Sequence, residues 1–249
     1  MIIVAIVAMM QTAVAQQNAP FKSGETLEYK MYFNWQFIWL NAGTATMTTR
    51  EQNYNGKPSY RCSLVTRTSN KIDKYFRMRD TLMCNVSKDF IPLYYRKGAR
   101  EGERYYVDEL FYNYGNSGTT VTMKALTSKG EHKTQKHQSK YYVYDMLSIF
   151  MRARTFDPSN WKPGYTFVFP IVDASHVQNA KLRFRGRSTV KAEDGNKYKC
   201  LELSYIETED KKEREIVRFF VTDDKRHIPV RLDLFLKFGT AKAFLTRMH

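Results

Sequence analysis

In the stretch GETLEYKMYF, Leu27, Tyr29, Met31 and Phe33 fall on one side of the chain and Glu28, Lys30 and Tyr32 on the other. A period of two residues is that of a β-strand with one face buried. The same style recurs in IWLNAGTATMTTR, PSYRCSLVTRT, YFRMRDTLMCNVS, FIPLYYRK, RYYVDELFYNY and GTTVTMKALTS. It resumes in YTFVFPIVD, AKLRFRGRSTVKA, KYKCLELSYIE, REIVRFFVTD, IPVRLDLFLKF and TAKAFLTRM. Short strands at this spacing, separated by Gly, Asn, Asp and Lys turns, predict an antiparallel meander. Asn41-Ala42-Gly43 reads as a bend or bulge, while Glu193-Asp194-Gly195-Asn196 and Asp223-Asp224-Lys225-Arg226 read as turns. EHKTQKH, with His132 and His137, reads as a polar loop.

One segment breaks the alternation. In YYVYDMLSIFMRART, Met146, Leu147, Phe150 and Met151 recur at helical spacing, and Ile149 and Ala153 widen the apolar face. Asp145 is placed to cap the first turn. Arg152 and Arg154 complement the dipole at the other end, and Asp157-Pro158 and Pro163-Gly164 stop the helix. The expected fold is mainly β: a curved antiparallel sheet, a half-barrel or barrel-like meander, with one embedded α-helix from about Tyr144 to Arg154. The helix carries a single hydroxyl, Ser148, and no base at helical spacing, so it is expected to cover the sheet rather than to do chemistry.

The opening MIIVAIVAMMQTAVAQQNAP joins an apolar run, Ile2 to Met10, to small residues at Ala13 and Ala15. This pattern predicts a signal peptide over residues 1–15, one domain over 16–249, and export to the periplasm or cell envelope. The apolar run falls short of the roughly 20 residues of a membrane span, and no transmembrane segment is expected in the mature chain. A net charge of +15 favours anionic partners: phospholipid headgroups, lipopolysaccharide or acidic glycans. The alternative is Lys and Arg dispersed over a solvated surface. Nucleic acid is not an expected partner of an exported chain.

The sequence holds no nucleophile elbow, P-loop, dinucleotide fingerprint or HExxH pair. Glu25, Glu28, Asp80, Asp108 and Glu109 supply carboxylates, but nothing in their spacing pairs them as a glycosidase would need. Asp80, flanked by Arg77 and Arg79, reads as a salt-bridge partner within a sheet. His227 follows a charged turn and is expected to be exposed. Cys62, Cys84 and Cys200 fit no metal pattern. If the chain between Cys62 and Cys84 turns back near Asp73, those two face each other as the first candidate disulfide; buried small hydrophobes are the alternative. No catalytic residue, metal or cofactor is expected, and the chain reads as a non-enzyme.

Two aromatic groups are candidate ligand-binding residues: Trp35, Phe37 and Trp39 in NWQFIW, and Tyr141, Tyr142 and Tyr144 in YYVYD. Flat amphipathic rings suit sugars or the walls of an acyl groove. Strand cores use the same residues.

The order of FKSGETLEYKMYFNW…LNAGTATM, KYFRMRDTLMCNVSKDFIPLYYRK, YDMLSIFMRAR before KPG, and IPVRLDLFLKFGTAKAFL resembles the DUF3108 family of exported bacterial proteins. The resemblance implies a curved β architecture with an embedded helix, similar to the half-barrels of periplasmic lipoprotein carriers, and carries no catalytic residue with it. The expected function is an exported binding protein for a lipid, glycolipid or anionic glycan. The alternatives are a scaffold or assembly partner of an envelope protein complex and a carboxylate-dependent hydrolase of envelope polymers.

Overall fold

The computed structural model of the protein describes residues 19–35, 38–173, 176–209, 212–236 and 239–249, with backbone alone at Trp35, Asp173 and Glu209. Among them fourteen strands form one antiparallel sheet. The first eight are β1 (Glu25–Trp35), β2 (Ile38–Tyr54), β3 (Lys57–Thr68), β4 (Met78–Ser87), β5 (Pro92–Glu101), β6 (Arg104–Gly115), β7 (Gly118–Leu126) and β8 (His132–Ser139). Six more follow: β9 (Thr166–Asp173), β10 (His176–Lys191), β11 (Lys197–Glu209), β12 (Lys212–Thr222), β13 (Pro229–Leu236) and β14 (Gly239–Met248). Each pairs with its sequence neighbours, except that β8 and β9 are the two edges and β14 returns to β1. Two meanders are thereby fused into one open sheet.

The alternation in β1 decides the inner face. Leu27 and Tyr29 are buried, and the register carries that face through Met47 and Ala45 on β2 to Cys62, Cys84, Tyr95, Leu110 and Val121. In the other direction it continues from Leu245 and Ala243 through Leu232 to Phe219, Leu203 and Phe184. The bend expected at Asn41-Ala42-Gly43 is a bulge, where the pairing skips Ala42. Gly43 is required there because a Cβ would lie 2.0 Å from the Arg67 carbonyl oxygen.

EHKTQKH is strand rather than loop, since β8 pairs in full with β7. Its residues are nearly all exposed, as befits an edge strand, and that removes the apolar alternation by which a strand is recognised. A single-turn helix, α1 (Asn70–Asp73), also lies in the β3–β4 connection; it buries nothing and so left no periodic signal.

The expected helix is α2 (Met146–Ala153). The Asp145 Oδ1 accepts the Leu147 and Ser148 amides at 3.0 and 2.9 Å, and the Ser148 Oγ accepts the Asp145 amide at 2.9 Å. This reciprocal box satisfies donors that a helix start otherwise leaves open. Tyr112 of β6 donates to the other Asp145 oxygen at 3.1 Å, fixing the cap to the sheet. Leu147 and Met151 join a core that spans both meanders, and Ile149 joins one formed by the second. The helix is therefore the joint between the two halves. Just before it, Tyr144 makes a parallel bridge to Ile171 and so occupies part of the free edge of β9.

Candidate functional site

Between α2 and the inner face of the second meander lies an apolar cleft of about 60 Å³, walled by Ile149, Phe150, Leu203, Val217 and Phe219, with half-exposed Met146 at its margin. Its size admits about four water-sized groups, which corresponds to the last few carbons of a chain rather than a whole one. Two wall residues, Arg154 and His227, also border a wider depression of about 520 Å³ that carries the charged side chains of Arg187, Lys225, Asp223 and Asp224. An apolar slot next to a charged basin has the shape of a site for a molecule with one apolar and one polar end.

Arg154, common to both, belongs to a buried ion pair. Arg154 and Glu25 side chains are 1% and 3% exposed, with guanidinium nitrogens 2.6 and 3.1 Å from the carboxylate oxygens. The Arg154 Nε donates to the Arg226 carbonyl at 3.0 Å, and its guanidinium lies 5.3 Å from the Phe21 ring centre. His227 is buried, contrary to its expected exposure: its Nδ1 is 2.8 Å from the Arg154 carbonyl oxygen. A tight turn with His227 at φ 44° folds the ring inward against the end of α2.

A second polar group occupies the inner face of the first meander. The register sets Asp80 of β4 opposite Ala99 and then Tyr106, and Lys97 opposite Asp108. Asp80 and Asp108 stand two strands apart and two residues out of line, roughly 12 Å between backbones. The Lys97 Nζ donates to the Tyr106 hydroxyl at 2.8 Å, which donates to Glu101 at 2.7 Å. Asp80 is not the salt-bridge partner expected from its flanking arginines. Strand alternation turns Arg79 to the opposite face, onto Asp73, while Asp80 points inward, 8% exposed, with no hydrogen-bond partner for Oδ1. Burial pushes its pKa up to about 6, Glu101 adding to the shift and Lys97 opposing it; burial likewise raises Asp108.

This has a measurable consequence. A carboxyl whose pKa is higher folded than unfolded, ~3.9 for Asp, binds its proton more tightly in the native state, so stability falls as pH rises from about 4 to 6. Asp145, which burial also pushes up to about 6, acts in the same direction. Urea unfolding is expected to give Asp80→Asn higher stability than wild type at pH 7, by about 1–2 kcal/mol, with the gain shrinking toward pH 5. A variant less stable than wild type at pH 7 would contradict this environment for Asp80. Glu213, held down to about 2 by hydrogen bonds from Arg183 and Lys181, acts in the opposite sense at lower pH, weakly because this pairing is exposed to water. That contribution is lost as pH falls below about 4.

The two aromatic groups named from the sequence are not brought together. Trp39 lies at the β1–β2 end of the sheet; Phe37 and the Trp35 side chain lie outside the described residues. Tyr141, Tyr142 and Tyr144 lie after β8, at the opposite end. Tyr141 and Tyr142 are exposed, the latter edge-on to Tyr114 at 5.5 Å, while Tyr144 is half-buried against Phe169. Cys62 and Cys84 face each other across β3 and β4 as anticipated, and both are buried. The hydrogen bond from Cys84 lowers the pKa of Cys62, whereas burial drives Cys84 well up. Cys200 is buried and pushed up to about 12, an unreactive thiol. His132 and His137 fall on opposite faces of β8. Among the described residues no group of three or more His, Cys, Asp or Glu side chains is placed to hold a metal, and no helix is long and apolar enough to cross a membrane.

A search of curated proteins finds no match. Among solved structures the chain is similar to a beta-barrel-like protein of domain of unknown function DUF1849 from Brucella abortus, at 12% identity and a TM-score of 0.54, over 91% of this chain and 97% of that one. That likeness supports the barrel-like architecture. Residues 28–246 match the model of the family described as protein of unknown function (DUF3108), and over that span, nearly the whole chain, the protein is a member of the DUF3108 family.

Proposed function

We propose that the protein is an exported, periplasmic or envelope-associated binding protein, without catalytic activity of its own, whose ligand is an amphiphile such as a lipid or glycolipid. The observation that carries this reading is the apolar cleft beneath α2 adjoining a charged depression, with Arg154 and His227 common to both. The end of an acyl chain enters between Phe150 and Phe219, and the headgroup meets Arg187 and Lys225. Arg187 is held toward that basin by Asp223, 2.9 Å away. Export is supported by the apolar N-terminal stretch and its small residues.

Titration with a fluorescent polyene fatty acid tests the reading. Saturable binding is expected, weakened about tenfold or more, ~1.4 kcal/mol, by Met146→Asp. That change places a charge at the cleft margin, in the first turn of α2, where an anion favours the helix. Absence of saturable binding, or indifference to Met146→Asp, would overturn it.

A further inference from the structure

The β1–β2 hairpin reaches past its neighbour. Pairing of β2 with β3 ends at Gly43 opposite Thr68, so Ile38 to Ala42 run on beyond β3 by about 15 Å. On this projection Ile38, Trp39 and Leu40 are 63%, 42% and 41% exposed. Because successive strand residues point to opposite faces, Ile38 and Leu40 present apolar surface on the inner side and Trp39 on the outer. An antiparallel strand with one face on the core commonly turns polar residues outward on the other, so apolar surface exposed on both faces of this projection points to contact outside the sheet. Exposed Leu236 stands at the end of the neighbouring β13–β14 hairpin and extends the patch.

Basic residues on the neighbouring strands flank the projection. Lys242 sits 4.4 Å over the Trp39 ring, and Arg67 lies opposite Thr44 at the foot of the hairpin. Behind them is a chain of net charge +15. Tyr75 and Phe76, exposed in the β3–β4 connection, are flanked by Lys71, Lys74 and Arg77.

From this combination we infer that the end of the sheet bearing Ile38, Trp39 and Leu40 docks on an anionic lipid bilayer, the two apolar faces entering the headgroup boundary and the lysine and arginine side chains meeting lipid phosphates. Trp at the boundary and cations just above it are the groups that such an interface retains. A charge-driven component makes the docking salt-dependent. The inference does not rest on the cleft beneath α2.

Flotation of the mature chain, residues 16–249, with phosphatidylcholine vesicles, with and without phosphatidylglycerol, tests it. Wild type is expected to float with the phosphatidylglycerol vesicles and to be released by salt. The triple change Ile38→Ser, Trp39→Ser, Leu40→Ser is expected to lower partitioning by at least about tenfold, since each large apolar side chain contributes on that order, while leaving the melting curve unchanged because the sites are exposed. Met146→Asp is expected to float as wild type does, which separates this surface from the cleft. Three results would overturn the inference: wild type that does not float, a triple variant that floats equally well, or a wild-type dimer that the triple change dissociates.

Discussion

Arg154→Ala is expected to lower the free energy of unfolding by about 3–5 kcal/mol, among the largest effects of any single substitution in this chain. The guanidinium is buried between Glu25, the Arg226 carbonyl and the Phe21 ring. Removing it leaves the Glu25 carboxylate out of water with Arg226 as its remaining ion-pair partner among the described residues, 3.5 Å away and half exposed. The Arg226 contact sets the lower end of the range. The ion pair itself contributes far less than its rupture costs, because both charges were desolvated to form it. The double change Glu25→Leu, Arg154→Met should therefore recover most of the loss. Urea unfolding of the two singles and the double separates these terms. A double variant as unstable as Arg154→Ala would show that the side chain matters for its packing and its backbone bond instead.

Leu147→Asp should be as damaging. Leu147 is buried where α2 meets the first meander, two positions from the Asp145 carboxylate, which is itself fully buried and pushed up to about 6. A second carboxylate there has no partner, and an unpaired buried charge costs several kcal/mol. Loss of the cooperative transition, or a shift in melting temperature of about 10 °C or more, is expected by calorimetry. An Asp variant that unfolds like wild type while losing fatty-acid binding would make α2 a ligand-binding lid and not the joint between two halves of the sheet.

Much of this architecture is visible in the chain because its physics is local. Strand alternation from Leu27 and the Asp145 cap ahead of a helical apolar stripe are properties of neighbouring residues. The facing of Cys62 and Cys84 needed only a turn between them. That same turn carried a consequence for Asp80: strand alternation puts Asp80 on the face of Cys84 and away from Arg79, against the salt bridge read from adjacency. The polar row of Asp80, Lys97, Tyr106 and Asp108 was illegible for a different reason. It is assembled across three strands, and only the register reveals it. Arg154 and Glu25 lie 129 positions apart, and neither residue type signals burial. The β8 strand was lost because an edge strand in water has no apolar face to repeat. Trp39 and the tyrosines at 141, 142 and 144 looked alike in composition, and the topology sends them to opposite ends.

The most direct test of amphiphile binding is native mass spectrometry of the protein purified from its own cells, followed by extraction and identification of any bound molecule. A stoichiometric lipid or glycolipid, lost from Met146→Asp, is the predicted result. An empty protein that instead retains a protein partner in crosslinked cells would contradict a binding function and make the chain a scaffold.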